Sequence, residues 1–235
     1  MLGWILAQVA QSAPANETFV RSPRAAATAT DTSADHVIVS AAELAATGER
    51  SLPRQLARAA GVWLQETNLG GGSPLIQGLS GNQVLLVLDG VRLNDSTTRN
   101  GVNQMLNGID PAAVERVEVL RGPRSVQYGS DALGGVVLIW TRSRAPSRGE
   151  ATRAGLAGGL EGHAESASEG GAAALELSTA SANLGALAVL GTHVWNDLEA
   201  ASGTVEHTGY EGDSPFGSLG TALGERRELR PTTLV

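Results

Sequence analysis

Asp89 is the residue of this 235-residue chain whose position most strongly suggests chemistry. It follows the hydrophobic segment Val84 to Leu88, and α/β phosphotransferases and hydrolases place a nucleophile or metal ligand at the carboxyl end of such a strand. Haloacid-dehalogenase-like enzymes need the pattern D-x-D-G, but the residue two before Asp89 is Val87. Since Gly90 follows, the pair predicts a tight turn. A soluble α/β hydrolase that uses Asp89 is kept as an alternative.

Other residue types that carry chemistry are not grouped at catalytic or ligand spacing. Ser125 and Ser130 lack the G-x-S-x-G elbow of serine hydrolases, and the four histidines have no second ligand two to four residues away. The chain has no cysteine, which excludes disulfides, thiolate sites and cysteine nucleophiles. Its glycine-rich segments match neither phosphate-binding motif. We therefore predict no catalytic residues, no metal site and no cofactor.

Charge is distributed unevenly along the chain. Residues 150–235 carry four arginines against twelve acidic residues, whereas residues 37–149 carry eleven arginines against nine. So acidic a final segment argues against nucleic acid as a partner. Hydrophobic residues make up 42% of the chain and aromatic residues 3%, which predicts an aliphatic core.

The N-terminus resembles an export signal. An apolar run from Leu2 to Ala10 precedes Ala13-Pro14-Ala15, the A-x-A pattern that signal peptidase cleaves. The run is far shorter than the roughly 18 residues that a membrane-spanning helix needs. We predict a signal-peptide remnant at residues 1–15 and a flexible linker at 16–36; an ordinary apolar segment is the alternative for 1–15.

Residues 37–143 alternate strand and helix signals and predict a mixed α/β domain of ordinary size. Ser40 to Glu43 has the pattern of a capping box that opens a short helix ending at Thr47-Gly48. Ser51 and Pro53 begin a second helix, and Asp110-Pro111 begins a single helical turn. Predicted strands lie at His36–Val39, Val62–Glu66, Leu75–Ile76, Val84–Leu88, Val117–Leu120 and Val136–Thr141.

Residues 149–235 change character. Segments of about ten residues with small apolar side chains and imperfect alternation are typical of long antiparallel strands in a membrane β-barrel. The segments are ATRAGLAGGLEG, AAALELSTASA, LGALAVLGTHVWND and, as a less certain fourth, ERRELRPTTLV. Four strands are fewer than the usual minimum of about eight for a closed barrel. A flexible Gly/Ala tail is the alternative.

The stretch Val114 to Arg144 carries the most specific motif of the chain. Supporting pieces are Leu52 to Leu56 with Gly61-Val62, Ile76 to Gly78 and Val84 to Asn94. Across these pieces the characteristic residues are Asp89, Gly90, Gly122, Pro123, Tyr128, Gly129, Gly134 and Gly135. With these pieces in this order, residues 51–143 closely resemble the plug domain of TonB-dependent outer-membrane receptors, and these eight residues are its structural signature. The resemblance implies an α+β plug domain, a small mixed sheet with short helices, followed by antiparallel strands of an incomplete transmembrane β-barrel.

Two positions depart from the family pattern. Gln77 occupies the place of the family's arginine in "IRG", and Leu138 that of its usual asparagine. In the family, the IRG arginine and the arginine of the "EVLRG" strand pair with acidic residues of the barrel wall. The resemblance therefore implies plug–barrel contacts at Gln77, Glu118 and Arg121, with Arg121 alone keeping the arginine role.

Upstream, Glu17, Thr18, Phe19 and Val20 resemble a TonB box. Such a box is a short extended segment that the energy-coupling protein TonB captures from the periplasm. Capture by β-augmentation adds the segment as a strand to the partner's sheet edge, with main-chain hydrogen bonds supplying affinity.

The resemblance implies the N-terminal part of an outer-membrane receptor for active uptake of a scarce nutrient. The plug would close a 22-stranded barrel from the periplasmic side, and TonB with ExbB and ExbD would supply energy. Expected ligands are a ferric siderophore, cobalamin or a similar metal complex, with the loops Asn68–Pro74 and Asn94–Asn107 as candidate contacts. Alternatives are a plug-only periplasmic protein that binds a ligand or TonB, and a non-functional truncated fragment.

Overall fold

The computed structural model describes residues 19–22, 25–28, 36–49, 51–68, 71–94, 105–144, 155–166, 170–181, 183–201, 203–223, 227–229 and 232–234. The predicted signal peptide, Glu17 and Thr18, and most of the predicted loop Asn94–Asn107 lie outside these residues. No helix among the described residues is long and apolar enough to cross a membrane.

The described residues form strands, three short α-helices and three 3₁₀ turns. The helices are α1 (Ala41–Ala46), α2 (Leu52–Leu56) and α3 (Ser125–Tyr128), and the 3₁₀ turns are Gly81–Gln83, Met105–Gly108 and Pro111–Ala113. The strands up to residue 141 are β1 (Phe19–Ser22), β2 (Ala25–Thr28), β3 (His36–Ser40), β4 (Val62–Asn68), β5 (Gly71–Ile76), β6 (Val84–Leu88), β7 (Val91–Arg92), β8 (Val114–Arg121) and β9 (Gly135–Thr141). The later strands are β10 (Gly155–Glu165), β11 (Gly170–Ala180), β12 (Leu184–Trp195), β13 (Leu198–Ala200), β14 (Gly203–Val205), β15 (Tyr210–Leu223), β16 (Arg227–Leu229) and β17 (Thr232–Leu234).

Residues 36–144, the mixed-sheet region, are built around five strands in the order β3-β8-β9-β6-β7. β6 and β9 are parallel and the other neighbours are antiparallel. One face packs on α1, α2, the 3₁₀ turn Met105–Gly108 and the β4–β5 hairpin, and the other packs on the segment from Gly122 to Gly134. The predicted small mixed sheet with short helices is confirmed.

The first helix and the turn after Asp110 begin at the polar residues that the sequence predicts as caps. The Ser40 hydroxyl accepts a hydrogen bond from the Glu43 backbone N–H, and Glu43 accepts one from the Ser40 N–H, which is a complete capping box. The Asp110 carboxylate accepts from the Ala112 N–H at 2.8 Å. Ser51 also precedes a helix, but its side chain makes no capping hydrogen bond.

The prediction of a glycine-rich break followed by a two-residue strand was wrong. β5 extends from Gly71 to Ile76 and pairs with β4, so most of the predicted ligand loop Asn68–Pro74 belongs to the buried strand of a hairpin. A Cβ built on Gly72 would lie 3.0 Å from atoms of Leu64 and Pro53. The glycine therefore permits close packing on α2, and it does not mark a loop.

A second sheet, the long-strand sheet, contains β10, β11, β12, β15, β16 and β17, and β13 pairs separately with β14. β10, β11, β12 and β15 pair antiparallel in that order, and the described strands are not closed into a barrel. The sequence analysis missed β15, a 14-residue strand, because Gly212, Pro215 and Gly217 interrupt its alternation. It also placed a fourth strand at ERRELRPTTLV, where the structure has only the three-residue strands β16 and β17.

The two faces of the long-strand sheet differ in polarity. The face turned away from the mixed-sheet region carries an apolar row across neighbouring strands, Leu160, Leu175, Leu190 and Pro215. Leu156 and Leu160 expose 80% and 81% of their surface there. On this face the charged residues of β10, β11, β12 and β15 are Glu211 and Asp213, near one end of β15. The opposite face carries Glu161, His163, Glu176, Ser178, His193, Ser214 and Ser218 around a small apolar centre.

Candidate functional site

The mixed-sheet region contacts the long-strand sheet through the turn Asp110–Ala113 and through Arg142. Asp110 caps the turn, and its carboxylate lies against Gly191 on β12. A Cβ built on Gly191 would overlap this carboxylate and would lie 3.6 Å from the Asp110 Cβ. Gly191 therefore forms a socket that a larger residue would fill. Burial raises the pKa of Asp110, even though the hydrogen bond from Ala112 lowers it.

Apolar packing surrounds this socket. Ala113 is fully buried against Leu187 and Val189 of β12 and Phe216 of β15. Ala112 and Ala174 are partly buried beside the same cluster. Small residues on the turn let it approach the strands closely, so the contact excludes water at its centre.

Arg142 supplies the ionic part of the contact. It follows β9, and its guanidinium donates to the Glu176 carboxylate of β11 at 2.6 Å and to the Ala112 carbonyl at 3.1 Å. The Arg142 and Glu176 side chains are 40% and 30% exposed. Water screens such a pair, so its role is to orient the two sheets more than to stabilise them.

A cavity of about 100 Å³ adjoins the socket. Its lining includes Glu49, Gln55, Asp110, Glu161, His193 and Tyr210. The volume suits a few water molecules and is far below the roughly 300 Å³ at which small-molecule pockets begin. Among the described residues, no group of three or more His, Asp or Glu side chains could hold a metal ion.

The residues implied as plug–barrel contacts occupy different places. Gln77 is exposed at a tight turn, Gln77-Gly78, with positive φ at both residues. The Arg121 side chain packs beside Gly61, where no Cβ would fit. Glu118 is fully buried and interacts with Arg116 and His36 of its own sheet. The role of these three residues against a barrel wall stays a prediction.

Asp89 holds a turn to the sheet. Asp89 and Gly90 have φ of 48° and 88°, the backbone of a tight hairpin turn between β6 and β7. One Asp89 carboxylate oxygen accepts from the Thr141 backbone N–H at 2.9 Å, and the other accepts from the Thr141 hydroxyl at 2.5 Å. Both oxygens are thus engaged at the end of β9, as a structural turn requires.

The remaining signature residues shape the segment that follows β8. Gly122 and Gly129 have φ of 85° and 83°, which favours glycine, and Pro123 is exposed after the first of them. Tyr128 packs on the second face of the sheet, and burial raises its pKa.

Gly134 and Gly135 give this segment its close approach to the sheet. A Cβ on Gly134 would lie 2.8 Å from the Leu79 Cβ, and one on Gly135 would lie 2.6 Å from the Leu120 carbonyl oxygen. Arg92 holds the same segment in place, because its guanidinium donates hydrogen bonds to the Tyr128 and Ser130 carbonyls and to the Asp131 carboxylate.

Of the predicted box, only Phe19 and Val20 are described. They begin β1, which pairs antiparallel with β2, so Phe19 lies opposite Thr28 and Val20 opposite Ala27. The backbone of these two residues is therefore extended.

The sequence analysis missed the residues that join the two sheets. Asp110 was identified only as a helix cap, Gly191 fell within a strand segment, and Arg142 and Glu176 were not singled out. A usable signal was present in Gly191, a glycine in the middle of an apolar strand, which often marks a close approach of another chain segment. Its partner could not be found without the fold.

Comparisons with known proteins agree with this architecture. A family model described as TonB-dependent Receptor Plug Domain matches residues 28–136. The vitamin B12 transporter BtuB of Vibrio cholerae serotype O1 is 34% identical over 150 residues, covering 62% of this chain and 24% of the relative. BtuB of Vibrio vulnificus is 36% identical over 124 residues, covering 52% of this chain and 20% of the relative. The chain thus spans about a quarter or less of the length of these curated relatives.

Two solved structures share the fold. The pyoverdine outer membrane receptor FpvA of Pseudomonas aeruginosa PAO1 matches 90% of this chain and 28% of that chain, with a TM-score of 0.68 at 18% identity. The ferric yersiniabactin uptake receptor FyuA of Yersinia pestis matches 85% of this chain and 30% of that chain, with a TM-score of 0.60 at 22% identity. Both matches extend beyond the mixed-sheet region into the long-strand sheet.

Proposed function

We propose that this chain is the plug and first wall strands of an outer-membrane uptake receptor, because residues 28–136 match the family model of the TonB-dependent receptor plug domain and the chain shares its fold with a solved outer-membrane receptor. The mixed-sheet region, residues 36–144, is the plug that the sequence predicts at residues 37–143, and the long-strand sheet is part of the barrel wall predicted at residues 149–235. The protein resides in the outer membrane, with the plug inside the barrel and facing the periplasm.

The sorting of side chains on β10, β11, β12 and β15 is the observation that carries this proposal. A strand that crosses a membrane alternates residues that face lipid with residues that face the barrel interior. The face with Leu160, Leu175 and Leu190 suits lipid, whereas the face with Glu161, Glu176 and His193 suits an interior. The plug lies on that second face.

The contact through Asp110, Gly191 and Arg142 supports one assembly of plug and wall over a plug with an independent acidic tail. Buried apolar atoms, a steric socket and an ion pair all join the two sheets. A flexible tail would lack a conformation in which these features coincide. The plug-only alternative is therefore less well supported.

Energy for transport would come from TonB, with ExbB and ExbD, through the box Glu17, Thr18, Phe19 and Val20. The extended backbone of Phe19 and Val20 is compatible with capture as an added strand. In the unbound chain β2 occupies one hydrogen-bonding edge of β1, and TonB would take the other edge or replace β2. No covalent chemistry is required of this chain.

The transported nutrient is proposed by class only. A relative named as a vitamin B12 transporter, together with solved structures named as a pyoverdine receptor and a ferric yersiniabactin uptake receptor, supports a bulky metal complex, cobalamin or a ferric siderophore. The cavity beside Asp110 is too small for either. Ligand contacts are therefore proposed for the loop Asn94–Asn107 and for the tip of the β4–β5 hairpin near Asn68.

Capture of this chain by TonB tests the proposal. In a pull-down with the periplasmic domain of TonB, the wild-type chain should bind, and Thr18→Pro should reduce binding at least about tenfold because proline removes a main-chain donor and restricts the strand. Thr30→Pro places the same substitution in the linker and should leave binding unchanged. Equal binding by the Thr18→Pro and wild-type chains, or equal losses in the two variants, would refute the assignment.

A further inference from the structure

Glu118 lies in a buried cluster that the plug–wall contact does not use. Its side chain is fully buried on the face of the sheet covered by the segment Gly122–Gly134. One carboxylate oxygen accepts from Arg116 Nε at 3.0 Å. The other has no hydrogen bond within the described residues and lies 3.6 Å from His36 Nε2, which also has none. Leu138 stands directly opposite Glu118 on β9 and offers no donor.

Burial makes a proton on His36 unfavourable, and the charged groups around the ring act in opposite directions. The strand β8 presents Glu118 and Arg116, the segment after it presents Arg124 and Tyr128, and β9 presents Trp140, whose ring lies 5.0 Å from the Arg116 guanidinium. Glu118 favours a proton on His36 and Arg124 disfavours it, while Arg116 is shared between Glu118 and Glu115. Only 5% of the His36 side chain is exposed, so water solvates a charge on the ring poorly.

Burial is accordingly the largest influence on the pKa of His36, and it lowers that pKa. Glu118 opposes this effect, and Arg124 adds to it. A histidine with a lowered pKa in the folded state takes up its proton more readily when its strand is open to water. Its contribution to stability is therefore complete above the ordinary pKa of about 6.5 and is lost as the pH falls below that value.

The position of His36 links this charge to one element. His36 is the first residue of β3, an edge strand that pairs only with β8 among the described strands. Five residue pairs, from His36 opposite Leu120 to Ser40 opposite Arg116, hold it there. Edge strands with few pairs open locally at much lower free energy than the centre of a sheet.

We propose that His36 is a proton-sensitive positioning residue, which holds β3 at the edge of the plug sheet when neutral and loosens it when charged. Its consequence for transport rests on the proposed function. β3 follows the box and the linker, so a pull by TonB reaches the plug sheet first through β3. Acidification would then ease the release of this strand. The device itself belongs to the plug and acts with or without TonB.

Hydrogen exchange of the complete chain tests the device without TonB. Protection factors, corrected for intrinsic exchange, are measured for β3 and for the central strands β6 and β9 at about pH 7.5 and about pH 5.5. In the wild type, β3 should lose about threefold or more of its protection in acid, while β6 and β9 keep theirs. His36→Gln retains a side-chain donor without the titration, and its β3 protection should not change with pH.

A pH-independent β3 in the wild type, or the same acid loss in His36→Gln, would overturn the proposal. Should His36→Gln lose protection in the central strands as well, an NMR titration of His36 in the wild-type chain decides the question. The His36 ring should then titrate at lower pH than a histidine in an unstructured peptide, whereas titration at equal or higher pH would overturn the proposal. If TonB does not capture the chain but the protection of β3 still depends on pH, only the role of His36 in transport would be refuted.

Discussion

At the scale of single residues, Asp110 serves two parts of the molecule. Its carboxylate caps the turn Asp110–Ala113 and fills the socket at Gly191. Desolvation by burial raises the pKa of this carboxyl, so the folded state binds its proton more tightly than the unfolded chain does. The stability that Asp110 contributes is therefore complete below its ordinary pKa and is lost as the pH rises through the raised value.

Asp110→Asn separates the two roles, because asparagine caps helices as well as aspartate does but carries no charge. At neutral pH the variant should be more stable than the wild type by on the order of 1 kcal/mol, and the difference should vanish in acid. Urea denaturation followed by tryptophan fluorescence at about pH 4 and about pH 7.5 measures this. A variant that is less stable at neutral pH would show that the charge of Asp110 supports the contact.

At the scale of elements, the turns of the plug depend on backbone that favours glycine. Gly90, with φ of 88°, follows Asp89 in the turn between β6 and β7. Gly90→Ala should destabilise the chain by about 1–2 kcal/mol, because a side chain at positive φ crowds the following carbonyl. Gly108 is the matched control, since its backbone has no positive φ and a Cβ there would meet nothing within 4 Å.

Chemical denaturation of both variants measures this difference. Gly108→Ala should stay within about 0.5 kcal/mol of the wild type, as surface substitutions usually do. Equal losses in Gly90→Ala and Gly108→Ala would contradict the importance of this turn.

The sequence predicts those elements whose signals are local. Ser40 with Glu43, Asp110 with Pro111 and Asp89 with Gly90 each fix an element boundary through neighbouring backbone groups, and the structure has these boundaries. β5 was predicted too short and β15 was missed, because their glycine and proline residues are typical of breaks between strands.

In both strands those residues contact other elements of the fold. Gly72 packs against Leu64 and Pro53, and Pro215 lies opposite Leu190 on β12. The sequence analysis missed the contact between the sheets for the same reason, because the role of Gly191 depends on Asp110, which comes from another part of the chain.

At the scale of the whole molecule, the proposed function depends on how the two sheets meet. The long-strand sheet has its exposed leucines on one face, and the mixed-sheet region packs on the other through a socket, an apolar cluster and an ion pair. The central claim is that the turn Asp110–Ala113 lies against Gly191 in the membrane-bound protein. Every role proposed for the plug as a closure depends on it.

A disulfide between positions 110 and 191 tests this contact most directly. The chain has no cysteine, and a Cβ on Gly191 would lie 3.6 Å from the Asp110 Cβ, within the range of about 3.5–4.5 Å that a disulfide requires. The double variant Asp110→Cys with Gly191→Cys is oxidised mildly in outer-membrane fractions and analysed by peptide mass spectrometry. Asp110→Cys with Gly203→Cys, which places the second cysteine in the exposed β13–β14 hairpin, is the control. We predict a reducible cross-link in the first variant and none in the second. Failure of positions 110 and 191 to cross-link, or equal cross-linking in both variants, would contradict the proposed contact.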